Sequence, residues 1–382
     1  MGAEHTTPHV TTLKERTMRI LLLGEYSNLH ATLAEGFRTL GHEAVVISNG
    51  DFWKNYPRDI DLSRTYTKWG GIKYILHLLT LLPKMRNYDV VQLISPMFLE
   101  LKDERIEPIY KYLRRNNKRI FLGATSTDWY YVNACLNEKP FEYSDFTIGD
   151  HIRQNKEAIE ARNVWIGTHR ERMHKRMART CDGITAVLYE YWRCLQSEQA
   201  EKTRYIPLPI KPADDINDTT SIHVPVKIFI GISKNRSEYK GTEIMLQAAQ
   251  DIKSRYPEKV SLQIAEGVPF EQYQQMMNGS DVILDQLYSY TPSMNSLLAM
   301  SKGIVVVGGG EPECYDILNE KELHPIINVQ PNYESVYHEL EQLVLHPERI
   351  PVLKQQSIEF VQKHHDYLKV AQKYLDFYNT KG

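Results

Sequence analysis

The chain has 382 residues, 42% hydrophobic and 25% charged, which is long enough for two domains with ordinary cores. Its formal net charge of −2 gives no global pull toward nucleic acid or an anionic membrane. Four scattered cysteines, Cys135, Cys181, Cys194 and Cys314, form no CxxC pair and fit reduced thiols in the cytosol.

Residues 1–17 are polar and lack an apolar h-region, so they are expected to be a flexible extension rather than a signal peptide. From Met18 the chain alternates: a strand over 20–23, a helix over 31–40 stopped at Gly41, then a strand over 43–47. An apolar helix over 72–82, closed by Pro83, is too short to span a bilayer. It is expected to bury its apolar side on the sheet, while Lys84 and Arg86 beyond it leave contact with a membrane open. A strand over 89–94, a helix over 106–115 and a strand over 119–122 continue the rhythm. Residues 128–150, aromatic and polar, interrupt it as an excursion over a binding cleft. A long charged helix is expected over 153–179, with His169 and His174 on a solvated face, before a strand over 183–187.

Prolines over 205–212 and a polar stretch over 213–221 mark a linker. A second series follows: strands over 226–231 and 260–265, helices over 242–252 and 270–277, a strand over 282–284, and strands over 303–307 and 325–329. Helices over 336–345 and from 358 onward close the chain. Strand–helix alternation of this kind argues for two parallel sheets, each covered on both faces, with ligands at the carboxyl ends of the strands.

Four loops carry candidate chemistry. After the first strand, Gly24, Ser27 and His30 form a tight turn into a helix, without a complete GxGxxG; capping by Ser27 or Asn28 is the structural alternative. After the 226–231 strand, Gly231 leads through a basic loop to Arg236, Lys240 and Gly241, where a helix begins. An Arg fork and a Lys point charge there suit a diphosphate whose charge grows as it leaves. After the 282–284 strand, Thr291, Ser293, Asn295 and Ser296 lie near the start of a helix that carries Leu297, Leu298 and Met300 and stops at Gly303, and the strand over 303–307 runs directly into Gly308-Gly309-Gly310-Glu311-Pro312-Glu313. Those features suit close backbone approach to a sugar phosphate, with a carboxylate for sugar hydroxyls. Asp59-Ile60-Asp61 is a DxD but does not follow a buried strand; no Cys/His spacing suggests zinc and no GxSxG supports a hydrolase.

The pattern from Met18 onward resembles the GT-B glycosyltransferases, specifically the retaining family four. The resemblance rests on Arg236, Lys240-Gly241, the 280–284 strand, Ala299-Met300-Ser301-Lys302-Gly303 and Gly309-Gly310-Glu311-Pro312-Glu313. It implies an α/β fold of two Rossmann-like, doubly wound domains facing a central cleft: an acceptor domain over 18–210, a nucleotide-sugar domain over 211–361, and a helix over 362–382 returning to the first domain. It implies transfer, with retention, of a sugar from a nucleotide diphosphate to a saccharide or lipid-linked acceptor, in surface polysaccharide or glycolipid synthesis. The enzyme would be cytoplasmic or peripheral on the inner membrane face, with no cofactor, no essential metal and no nucleic-acid partner. Arg236 and Lys240 would steady the leaving diphosphate, and Asp128 would contact the reacting sugar, a turn or cap role being its alternative. Gly231, Ser293, Asn295, Ser296, Gly309, Gly310 and Glu313 would hold the donor, and Gly24, Ser27 and His30 the acceptor. The family often carries two glutamates eight apart before the Ala-Met element; Tyr290 and Leu298 stand there instead. Ser293, Asn295 or Asp285 would have to substitute. An inactive nucleotide-binding or scaffold protein, and a sugar-nucleotide epimerase on the same fold, are the alternatives.

Overall fold

The computed structural model describes residues 16–233 and 236–380. The expected N-terminal extension therefore lies almost wholly outside the described residues, as do Lys234 and Asn235 of the basic loop.

The strands in chain order are β1 (Arg19–Leu23), β2 (Glu43–Ser48), β3 (Ile60–Asp61), β4 (Val90–Leu93), β5 (Arg119–Ala124), β6 (Thr147–Ile148), β7 (His151–Ile152), β8 (Gly183–Ala186) and β9 (Thr203–Tyr205). They continue with β10 (Val226–Ile232), β11 (Val260–Glu266), β12 (Val282–Leu284), β13 (Val305–Gly308) and β14 (Ile327–Asn328). The first sheet runs β3-β2-β1-β4-β5-β8-β9 and the second β11-β10-β12-β13-β14, with every pairing parallel. β6 and β7 make a separate antiparallel hairpin. Helices cover both faces of a parallel sheet, so its central strands are apolar on both sides. Ile20 to Leu23, Val90, Val91 and Val305 to Val307 are accordingly buried.

The chain crosses between the sheets near Ile210, whose N–H donates to His365 O at 2.7 Å and whose carbonyl accepts from Tyr367 N at 3.1 Å. The helix Tyr367–Thr380 then packs against the helix Leu29–Thr39 of the first unit. Phe37 meets Tyr374 and Tyr378 at ring separations of 6.4 and 6.1 Å, and Phe121 meets Phe377 at 5.3 Å. The Tyr378 hydroxyl donates to Gln92 Oε1 at 3.0 Å, in the middle of the first sheet.

Two expectations need correction. The charged helix over 153–179 is two helices, Lys156–Trp165 and His169–Thr180. Gly167 takes a left-handed φ of 72°, which ends the first, and the Thr168 hydroxyl accepts from Glu171 N at 3.3 Å to start the second. The break turns the second helix inward. His174 is therefore buried, with Tyr130 and Trp165 rings 5.0 and 5.7 Å away, and is not on a solvated face. The apolar helix is Lys68–Leu81, and only Gly70, Tyr74, Leu78 and Leu81 face inward. Among the described residues, no helix is long and apolar enough to cross a membrane.

Candidate functional site

Segments leaving the carboxyl ends of the first sheet touch segments leaving those of the second. The hydroxyls of Thr127, after β5, and Tyr239, after β10, lie 3.4 Å apart. Tyr143 OH donates to Glu311 Oε1, after β13, at 2.5 Å. Tyr56, after β2, sets its ring edge-on to Phe270, after β11, at 5.9 Å. Arg153 stacks 3.4 Å over the Tyr288 ring and donates to the Glu238 and Tyr239 carbonyls at 2.5 and 3.3 Å. The two sheets thus face each other across a cleft at the strand ends where α/β ligands bind.

The tightest link across it is Glu190, which opens the helix Tyr189–Gln199 and is buried. Its Oε1 accepts from Ser289 Oγ at 2.8 Å, Tyr290 N at 2.6 Å and Thr291 N at 3.1 Å, while Oε2 accepts from Thr291 Oγ1 at 2.6 Å. A carboxylate from the first unit therefore fixes the loop after β12. Sequence reading did not find it, because its partners lie a hundred residues away and nothing local marks it.

On the second unit, the basic loop ends at Gly241, whose φ of 75° caps the short helix Ser237–Lys240 before the helix Thr242–Arg255. Lys240 Nζ lies 3.9 Å from Asp285 Oδ1, and Arg236 sits 4.9 Å over the Tyr239 ring. Arg236 and Arg153 lower Asp145, as does a hydrogen bond from Tyr239, but burial outweighs them and holds this carboxyl up at about 6. Both basic candidates therefore reach the cleft.

Asp285, at the end of β12, gathers the donor candidates. It accepts from Ser293 Oγ at 2.6 Å, from Asn295 Nδ2 at 3.3 Å and from Ser296 Oγ. The Ser293 hydroxyl in turn accepts from Asn295 and Ser296 N–H at 3.2 and 3.4 Å. The helix start expected to meet an anion thus carries a side-chain cap and a carboxylate of its own. Gly231 lies against the Tyr273 ring, whose hydroxyl accepts from Asn295 Nδ2 at 3.0 Å. At Gly309 a Cβ would collide with the Ser289 carbonyl, so only glycine lets the loops after β12 and β13 meet. Gly310 N donates to Asn328 Oδ1 at 3.1 Å, and Glu313 is half-buried in the helix Pro312–Asp316.

Tyr290 stands where the resemblance leads one to expect a glutamate. Its ring lies 5.2 Å from Phe141, 4.9 Å from Tyr143 and 6.3 Å from Tyr189, and its hydroxyl accepts from Glu142 N at 2.9 Å. The position is built into an aromatic contact with the other unit. Leu298 packs partly buried against the core.

On the first unit, Gly24 takes a φ of 84° beside Ile94 and lines a small cavity of about 20 Å³ with Glu25, Tyr26, Ser48 and Glu100. Ser27 N donates to Asp51 Oδ2 at 2.9 Å. His30 turns inward, with Nδ1 2.8 Å from Gly24 O, and burial lowers its pKa to about 3. Glu25 accepts from His30 and Ala31 N–H at 3.2 and 2.8 Å; burial still pushes it up to about 8. Beside these, an open groove of about 590 Å³ is lined by Tyr26, Arg64, Met97, Glu100, Asp103 and Arg170. Asp128 is buried and caps the helix Trp129–Asn137 by accepting from Tyr131 N at 2.9 Å, with His174 Nε2 at 3.9 Å. Burial raises it to about 7. The cap role, one of the two weighed for it, is the one the geometry displays.

The DxD carboxylates have partners: Asp59 accepts from Val46 N at 2.7 Å, and Asp61 from Arg58 Nε at 2.5 Å. Among the described residues, no group of three His, Cys, Asp or Glu side chains is arranged to hold a metal.

No protein-family profile and no curated sequence matches the chain. Solved structures do resemble it. Sucrose-phosphate synthase from Thermosynechococcus elongatus superposes with a TM-score of 0.60 at 11% identity, covering 95% of this chain and 98% of that one. The catalytic domain of starch synthase IV from Arabidopsis thaliana, bound to ADP and acarbose, gives 0.59 at 10%, covering 96% and 99%. HepE from Anabaena, in complex with UDP-glucose, gives 0.58 at 11%, covering 95% and 100%. At such identity the likeness establishes the fold: GT-B, two Rossmann-like doubly wound domains facing a cleft.

Proposed function

We propose that the protein is a retaining glycosyltransferase that moves a sugar from a nucleotide diphosphate to a saccharide or lipid-linked acceptor, in the cytoplasm and in the service of surface polysaccharide or glycolipid synthesis. The observation that carries this reading is the placement of two cations on the segment that follows β10 in a chain with the GT-B fold, Arg236 over the Tyr239 ring and Lys240 3.9 Å from Asp285. The donor sits on the second domain, against the loops bearing Gly231, Ser293, Asn295, Ser296, Gly309, Gly310 and Glu313. The acceptor enters from the first, near Gly24 and Ser27. The acceptor oxygen bonds to the anomeric carbon as the bond to the diphosphate breaks. The acceptor proton passes to the leaving phosphate oxygen on the same face. Arg236 and Lys240 balance the charge that collects there, so neither a metal nor a dedicated base is required.

Because HepE and starch synthase IV are described with UDP-glucose and with ADP, uridine and adenosine diphosphate sugars are the first donors to test. A thermal-shift screen should show a rise in Tm with one nucleotide, since binding to the folded state alone stabilises it. Arg236→Ala and Lys240→Ala should each lower donor turnover by roughly 100-fold, the scale of one lost charge-stabilising donor, without lowering Tm. Normal turnover in both variants would remove the phosphate site. Tyr290 in its aromatic contact favours one second reading, a binding protein without transfer. That reading predicts a nucleotide shift with no product formed from any acceptor.

A further inference from the structure

The helix Lys68–Leu81 has two apolar faces. Tyr74, Leu78 and Leu81 pack inward. Trp69, Ile72, Leu76 and Leu79 recur three, four and three residues apart, so they share the opposite face, and all four are exposed, Trp69 at 75% and Leu76 at 59%. Exposed rings also stand just ahead of the helix and on the segment stacked against it. Tyr66 is exposed and stacks on exposed Phe52 at 6.3 Å, with exposed Trp53 beside it. A helix face of four exposed large apolar side chains calls for a covering partner.

Charge says which. From Arg64 to Tyr88 the sequence has Arg64, Lys68, Lys73, Lys84 and Arg86 and not one Asp or Glu. Lys68, Lys73, Lys84 and Arg86 are exposed and make no ion pair or hydrogen bond among the described residues. Elsewhere exposed cations such as Lys118, Lys139 and Arg176 pair with carboxylates. A second copy of this chain is a poor occupant, because a two-fold contact would press this cationic rim against itself. Aromatic rings and leucines bordered by unpaired Lys and Arg complement an anionic lipid surface, where the rings lie at headgroup level and the cations meet phosphates.

We propose that this face docks the protein on an anionic bilayer. The face is built into the first domain rather than tethered to it. Tyr74 OH accepts from Glu100 N at 3.2 Å, and Arg64, whose guanidinium lies 5.1 and 5.7 Å over the Tyr66 and Tyr74 rings, lines the same open groove as Glu100. Docking does not depend on the transferase reading, since vesicle binding reports it without any donor.

The test is flotation of the full chain with vesicles of phosphatidylcholine alone or mixed with phosphatidylglycerol. The wild type should float with the mixed vesicles, not with the neutral ones, and less so as salt is raised. Lys73→Gln and Lys84→Gln should each lower partitioning about fivefold. Leu76→Glu, at an exposed site, should lower it at least tenfold with Tm and any nucleotide-induced shift unchanged. Wild-type protein left wholly in the soluble fraction with both vesicles overturns the proposal. So does light scattering that shows a dimer dissolved by Leu76→Glu, which would assign the face to a second copy.

Discussion

Glu190→Ala tests whether the cleft is held by one carboxylate. The substitution removes the acceptor of four hydrogen bonds from Ser289, Tyr290 and Thr291. The Ser289 hydroxyl keeps an alternative in the Thr291 carbonyl at 2.8 Å, so it is not orphaned. The Tyr290 and Thr291 N–H groups and the Thr291 hydroxyl lose their acceptor at a buried site. Each such group costs about 1 to 3 kcal/mol, and water entering the vacated space recovers part of it, leaving a loss of about 3 to 5 kcal/mol. For domains of this size that corresponds to a Tm roughly 10 °C lower. Glu190→Gln keeps the shape and one acceptor oxygen, so its loss should be about a third as large. Differential scanning calorimetry on Glu190→Ala, Thr291→Val and the double variant measures the coupling, expected at about 1 to 2 kcal/mol. A Tm drop below about 2 °C for Glu190→Ala, or additivity of the two substitutions, would refute the interlock.

Stability should fall as pH rises from 6.5 to about 8. Asp128 and Glu25, raised by burial to about 7 and about 8, contribute stability that is complete below the ordinary carboxylate value and lost as pH climbs through these values. His30, His174 and His365, lowered by burial to about 3, lose their contribution as pH falls below 6.5 and regain only its last part just above, a rise that the carboxyl loss outweighs. Asp128→Asn keeps the cap on Tyr131 and should flatten the limb near pH 7; a Tm that rises over the window contradicts the assignment. Gly309→Ala drives a methyl into the Ser289 carbonyl and should lower Tm and erase any nucleotide-induced shift, whereas an unchanged shift would separate this loop from the ligand site. Tyr290→Glu buries a carboxylate among Phe141, Tyr143 and Tyr189 and should cost about 3 kcal/mol or more, read as a large Tm drop; an unaltered Tm would mean the aromatic contact is dispensable.

The βα rhythm was legible in the sequence because buried parallel strands need uninterrupted apolar runs such as 20–23 and 303–307, and glycine stops such as Gly41 follow from local dihedral limits. Those preferences act over a few residues, so the alternation, the order of the two series and the basic loop at Arg236 could be read directly. The break at Gly167 was harder, because charged residues flank it on both sides and mask two helices as one. Burial of His30 and His174 depends on which way each helix is turned against its neighbours, which composition does not fix. The same holds for the two apolar faces of Lys68–Leu81, one packed and one bare. The cleft itself is a tertiary fact. Glu190 meets Thr291, and Tyr143 meets Glu311, only after two sheets have formed separately and been brought face to face, and no local preference encodes a contact that spans more than a hundred residues.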